Sequence, residues 1–240
     1  TLHLRAAHPG LRFALPLFAW LSAWIYRRWG GAAEGGTALV LDEVTEWRGK
    51  VPTRMAPLVL LGTLLSHLGG ASVGREGTAV QMGAALGRTL AKARGRLGAL
   101  LRLTRARQRL LLQAGLAGGF GAVFGTPLAG ALFGVEVLGK GGLRPEALLL
   151  CLASSLTGEA TGRILGAHHA TWTVPSVPLT PHLWPALLLF ALGVAGVAWA
   201  YVRASHALAT WTRDRFPWWA RPLLGGLAFT LMALPLDAAY

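Results

Sequence analysis

Gly74-Arg75-Glu76-Gly77-Thr78-Ala79-Val80-Gln81-Met82-Gly83 is the stretch on which the reading of the whole chain turns. Upstream of it, Met55 to Gly74 runs 20 residues without Asp, Glu, Lys or Arg, about the length of one membrane-crossing helix. Downstream, a second helix is expected from Glu76 to about Lys92. The glycines and charges between them break two segments that otherwise look buried in lipid. A broken helix at membrane depth is tolerated only where the interrupted backbone lines protein or a water-filled cavity. The first-turn N–H groups of the second helix lack helical partners and lie at the positive end of its dipole, so they attract anions. The stretch therefore reads as an anion site in a membrane protein, with Glu76 as a built-in competing anion. A carboxylate in a first helical turn is also an ordinary cap; an ionisable group inside a span is costly and usually functional, which favours the first reading.

Composition supports the membrane setting. The 240 residues are 53% hydrophobic and 14% charged, with 32 glycines and 10 tryptophans against 3 tyrosines, and mean hydropathy is +0.48. That profile suits a polytopic helical membrane protein better than a soluble domain. The net charge of +13 is unevenly spread: eight of the 23 basic residues fall between Arg88 and Arg109, with no acid among them. In a membrane protein such a block marks a cytoplasmic loop. Nucleic-acid binding is not expected, because the flanking segments are too apolar for a soluble basic domain. The lone Cys151 excludes an internal disulfide and a cysteine-rich metal site, and no cofactor is implied. Beginning at Thr1 and ending at Tyr240 within an apolar run, the sequence reads as a fragment at both ends.

Taken in order, Leu11 to Trp29 is a first span whose Arg27-Arg28 end, flanked by Trp24, Tyr26 and Trp29, is an interfacial anchor on the cytoplasmic side. Thr37 to Glu46 is too short to span and is expected to be re-entrant, with Gly35-Gly36-Thr37 offering backbone donors at its start. His67 is expected to be a satisfied core histidine. Residues 110–135 carry no charge, but Gly125-Thr126-Pro127 interrupts them, so two shorter helices are expected to meet at Pro127, which lacks an N–H and breaks the helix. Spans are expected at Pro145–Leu165 and Trp184–Tyr201, flanking a Pro/Thr/Trp-rich loop on the non-cytoplasmic face. Arg203 to Arg221 reads as a basic cytoplasmic connection, and Pro222 to Tyr240 as the start of another span. Glycine pairs four residues apart (Gly70/Gly74, Gly83/Gly87, Gly115/Gly119, Gly121/Gly125, Gly130/Gly134, Gly158/Gly162) predict close helix crossings. Gly-Arg-Glu-Gly is not a nucleotide-binding fingerprint, since no strand precedes it, and no nucleophile–base arrangement suggests an enzyme.

These motifs resemble those of the CLC chloride channels and proton-coupled anion exchangers. Gly74-Arg75-Glu76-Gly77 with Val80-Gln81 looks like the family's glutamate-gate motif. Phe124-Gly125-Thr126-Pro127-Leu128-Ala129-Gly130, continuing to Phe133 and Glu136, looks like its next signature, so Gly125, Pro127, Gly130 and Glu136 are expected to form a helix break and pore scaffold. The resemblance implies an all-α, polytopic fold with broken and re-entrant helices arranged as an inverted repeat. It also implies a homodimer in a bacterial inner membrane, with the Arg88–Arg109 loop cytoplasmic. The chain would form a single transmembrane unit covering the first half, to about residue 203, and the start of the second, 204–240. Glu76 matches the gating, proton-carrying glutamate. Gly74, Arg75 and the backbone N–H groups from Gly77 through Thr78 and Ala79 to Val80 match the central anion site, and Gly35, Gly36 and Thr37 match the first anion-binding loop. The sequence departs from the family where the usual Gly-Ser-Gly-Ile-Pro is absent, where Thr78-Ala79 replaces Pro-Thr, and where Val137 replaces the exchangers' second glutamate. Gly-Arg-Glu-Gly-Thr-Ala-Val-Gln-Met-Gly with Arg54-Met55-Ala56-Pro57-Leu58 is similar to the fluoride-exporting subclass. The expected function is transport of chloride or fluoride, as a channel or an anion/proton antiporter; a secondary transporter of a small organic anion is the alternative.

Overall fold

The computed structural model describes residues 8–46, 50–71, 73–92, 104–136, 145–167, 169, 180 and 183–234. Among them the regular structure is entirely helical. A 3-10 turn (Pro9–Ala14) leads into α1 (Leu15–Ile25), whose last turn widens to a π-helical turn (Tyr26–Gly30). A second 3-10 turn (Gly31–Gly35) precedes α2 (Gly36–Glu46). Then come α3 (Met55–Leu68), α4 (Glu76–Ala91), α5 (Arg105–Phe124), α6 (Pro127–Glu136), α7 (Pro145–Ile164), α8 (Leu183–Arg215) and α9 (Ala220–Ala233).

The element boundaries follow from local chemistry. Thr104 caps α5 by accepting from the Arg107 N–H, the usual role of an N-cap hydroxyl. Gly125 ends α5 in the left-handed region at φ 68°, which glycine enters without the penalty a Cβ carries. Pro127 then opens α6, where its missing N–H removes no helical bond. The expected meeting of two helices at this point is what the structure shows. The expected 20-residue span from Met55 is shorter: α3 ends at Leu68 after 14 residues. The Ala71 N–H bonds to the Ser66 carbonyl and the Gly70 N–H to that of His67, with Gly70 at φ 80°. That is a Schellman termination, and it frees Gly69–Arg75 to make the break before α4.

Two cores hold the helices. Val40 and Val44 of α2, Met55 and Val59 of α3, Ala84 and Ala85 of α4, and Leu112 and Leu116 of α5 form the first. Ala117, Ala131, Val135, Ala147 and Cys151 join α5, α6 and α7 in the second. The side chains are small because the backbones nearly touch. A methyl at Gly83 would fall on the Gly115 carbonyl oxygen, one at Gly87 on that of Leu111, and one at Gly119 on that of Ala79. Polar ties support the crossings where apolar burial gives helices no mutual preference over lipid. Ser154 Oγ donates to the Ala114 carbonyl at 2.6 Å and Gln113 Nε2 to the Gly134 carbonyl at 3.2 Å. On the other flank α9 packs on α1, with Gly226 against Pro16.

Helix α8 differs from the expectation of a span followed by a separate connection. It runs unbroken for 33 residues through Arg203. The sequence there is rich in Ala and Leu, and the Arg203 guanidinium lies 5.2 Å over the Trp199 ring one turn earlier, so the charge is accommodated along the helix surface. α8 is long and apolar enough to cross a membrane, and none of it is buried against the other described residues. Of the expected 171–185 loop, residues 171–179 and 181–182 lie outside the described residues, while 183–185 already belong to α8; residues 93–103, half of the 88–109 block, lie outside them too, as do Val137, Lys140 and Arg144.

Candidate functional site

Two short helices point their N-termini at one place. α2 starts at Gly36, which enters the helix at φ 55° after Gly31 has turned the chain at φ 52°; both values favour glycine. α4 starts at Glu76, immediately after the break. The two starts are tied by Gln81 Nε2, which donates to Thr37 Oγ1 at 2.9 Å. Gly77 sits at the same junction: a Cβ there would be 3.3 Å from Thr37 Oγ1. Beside it opens a cavity of about 290 Å³, lined from α1 by Ser22 and Tyr26, from α3 by Val59, Gly62, Thr63 and Ser66, and from the two starts by Glu34, Gly36, Gly74, Thr78 and Gln81.

Helix geometry sets which backbone groups are available. The N-cap residue and the three after it have no intrahelical acceptor. For α4 these are Arg75, Glu76, Gly77 and Thr78. The Ala79 N–H is already bonded to the Arg75 carbonyl at 3.0 Å, and Val80 is buried in the core. The donors expected from Gly77 through Val80 are thus reduced to Gly77 and Thr78. The Thr78 hydroxyl is turned back to the Arg75 carbonyl at 2.7 Å. At the start of α2, the Gly36 N–H is bonded to the Ala33 carbonyl, which leaves the Thr37 N–H as the corresponding first-turn donor. Two helix N-termini on one cavity contribute positive potential to it without a buried cation, against which stands the Glu34 side chain on the same wall.

Glu76 is exposed at the rim, with its carboxylate folded over the Gly74 backbone; the described cavity wall includes Gly74 and Thr78 but not Glu76. Arg75 is exposed beside it. Gly125, Pro127, Gly130 and Glu136 are not part of this wall. Gly125 and Pro127 make the α5–α6 break, Gly130 packs where a Cβ would be 2.9 Å from both the Ala117 carbonyl and the Gly121 nitrogen, and Glu136 is the exposed last residue of α6. His67 Nδ1 is 2.8 Å from the Thr63 carbonyl, in keeping with its reading as a satisfied histidine.

Three features had no signal in the sequence. Gln81 reaches Thr37 across 44 positions. Arg109, at the start of α5, bonds the Val44 and Thr45 carbonyls at 2.9 and 2.7 Å, closing the C-terminus of α2. His169 Nε2 lies 3.1 Å from the Ala122 carbonyl, and its ring covers Gly125. Each joins parts of the chain that no local pattern connects.

The half-helix starts, the breaks and the glycine crossings define a helical fold with interrupted helices, and comparison with known proteins shows the family to which it belongs. The chain belongs to the voltage-gated chloride channel family, whose model matches residues 18–240. It is 38% identical over 237 residues to a chloride/fluoride channel protein of Pseudomonas syringae pv. tomato, an alignment covering 98% of this chain and 51% of that protein. It is 32% identical over 159 residues to an H(+)/Cl(-) exchange transporter of Vibrio cholerae, covering 62% of this chain and 31% of that protein. Its fold matches a crystal structure of a CLC-type fluoride/proton antiporter with a TM-score of 0.82 at 32% identity, covering 98% of this chain and 59% of that one. The chain thus spans about half the length of the relatives it matches. As a member of this family it is an integral membrane protein.

Proposed function

We propose that this chain contributes one half of a pathway that moves a small inorganic anion, chloride or fluoride, across a bacterial inner membrane, as a channel or an anion/proton antiporter with Glu76 as the gate. The observation that carries this is the convergence of the α2 and α4 N-termini on one cavity with a carboxylate at its rim. Helix N-termini hold an anion by N–H donors and dipole without a fixed countercharge that would trap it. A carboxylate able to reach the same donors competes with the anion while ionised and withdraws from that competition once protonated. One group thus links anion passage to a proton. The first-turn donors at Thr37, Gly77 and Thr78 are the anion ligands in this reading, and the break at Gly125–Pro127, with Gly130 and Glu136 beyond it, is scaffold.

Similarity to both a chloride/fluoride channel protein and a fluoride/proton antiporter supports a halide of this size. The protein acts as a homodimer in this reading. The basic ends lie on the cytoplasmic side: Arg27 lies 4.6 Å over Trp218, which brings the end of α1 to the level of the α8–α9 connection. The test is efflux from liposomes holding the full-length protein, loaded in turn with fluoride, chloride and an organic anion such as glutamate. Fluoride or chloride is expected to leave and glutamate to stay. Efflux of glutamate alone would replace this function with organic-anion transport.

A further inference from the structure

The two half-helix starts are joined through side chains, and the direction of that bond matters. Gln81 Nε2 is the donor and Thr37 Oγ1 the acceptor, at 2.9 Å. A threonine hydroxyl that accepts from a carboxamide still has its own proton to donate, and the carboxamide nitrogen carries a second N–H. The same nitrogen lies 3.6 Å from where a side chain on Gly36 would begin and 3.9 Å from the corresponding point on Gly77, so it sits between the two helix starts. Thr37 adjoins the cavity wall through its neighbour Gly36; of the five hydroxyl residues on that wall, Ser22, Tyr26, Thr63, Ser66 and Thr78, the last three are engaged within their own stretch of chain, Thr63 with the Val59 carbonyl, Ser66 with that of Gly62, and Thr78 with that of Arg75. Glu34 also lines the cavity, and its carboxylate opposes a bound anion, which makes aligned neutral donors more valuable.

We propose that Gln81 is a positioning residue for anion selectivity. It fixes the Thr37 hydroxyl as an acceptor on one side, so that the Thr37 O–H and the remaining Gln81 N–H are presented to the anion as neutral donors. A smaller, more strongly hydrated anion loses more on leaving water and needs short, directed donors to replace its hydration. The arrangement therefore favours fluoride over chloride. This inference rests on the reading of the cavity as the anion site.

The experiment uses full-length protein in liposomes and measures the ratio of fluoride to chloride efflux. Gln81→Met keeps the length and helix preference of the side chain while removing its donors, and Thr37→Val keeps the shape while removing the hydroxyl. Each is expected to lower the fluoride-to-chloride ratio by about three- to tenfold, the scale of one hydrogen bond. The double variant should fall short of the product of the two single effects, because the bond between the two side chains is already lost in either single variant. Thr37→Ser should keep the wild-type ratio. A wild-type ratio in Gln81→Met, effects that multiply in the double variant, or a Thr37→Ser that behaves like Thr37→Val would each overturn the proposal. If Gln81→Met does not assemble, Gln81→Glu has the same length without N–H donors and is judged by the same ratio. Glu76→Gln separates this inference from the site on which it rests. A change in proton coupling there with an unchanged ratio in Gln81→Met rejects the positioning role alone, whereas silence at both positions rejects the site.

Discussion

Gly83 of α4 and Gly115 of α5 face each other so closely that a methyl group on either would fall on the other's carbonyl oxygen. The clash is with backbone on both sides, so it cannot be relieved by a side-chain rotation. α4 carries Glu76 at one end and this crossing near its middle. The position of the site is therefore fixed by a contact two turns away from it.

Gly83→Ala is expected to destabilise the protein by about 1–3 kcal/mol or to prevent assembly, the range for overpacking a tight core. Gly193→Ala is the control, since nothing lies within 4 Å of a Cβ placed there and it sits on the exposed α8. Thermal unfolding in detergent, followed by loss of monodispersity, distinguishes the two. Equal stability of both variants would mean that the α4–α5 approach is looser than described.

Arg109 is expected to matter for α2 at a distance. Its guanidinium bonds two carbonyls at the negative end of that half-helix, whose positive end faces the cavity. Arg109→Ala removes charge-assisted bonds worth about 1.5–3 kcal/mol each at most and leaves the last carbonyls of α2 without them. Lower thermal stability, with weaker anion binding in titration calorimetry, is the expected outcome, and Arg109→Lys should restore only part of it because a single ammonium lacks the fork geometry. Unchanged stability and binding in Arg109→Ala would remove this role.

Gly125→Ala tests the second helix break. It places a side chain at φ 68°, a left-handed conformation that costs an L-residue about 1–2 kcal/mol, and directs it into the His169 ring. Thermal stability should fall by at least that amount. His169→Ala in the same background should recover the part caused by the ring and leave the part caused by the backbone. A Gly125→Ala protein as stable as wild type would contradict the turn described at the end of α5.

Much of this was legible because glycine and proline act locally. The breaks before Glu76 and at Gly125–Pro127, and the short helix from Gly36, follow from residues that change what the backbone can do at their own position. The glycine spacing also foretold the α4–α5 crossing. The end of α3 was harder to see: Gly69–Gly70 lies in an uninterrupted uncharged run, and composition does not reveal a positive φ. α8 was divided at Arg203 because a charge looks like an end, whereas a long side chain can lie along its own helix over Trp199. The ties from Gln81 to Thr37, from Arg109 to Val44 and Thr45, and from His169 to Ala122 are products of tertiary packing and leave no periodic trace.

The central claim, that Glu76 is the protonatable gate of an anion site, is tested most directly by Glu76→Gln in the full-length protein. Glutamine keeps the volume and removes the titrating group. Anion flux and proton uptake are measured together in liposomes at two pH values. The account predicts that the variant loses proton coupling and the pH dependence of anion flux, whether the remaining flux is channel-like or stalled. Proton uptake and pH dependence at wild-type levels would contradict it and leave Glu76 as a helix cap.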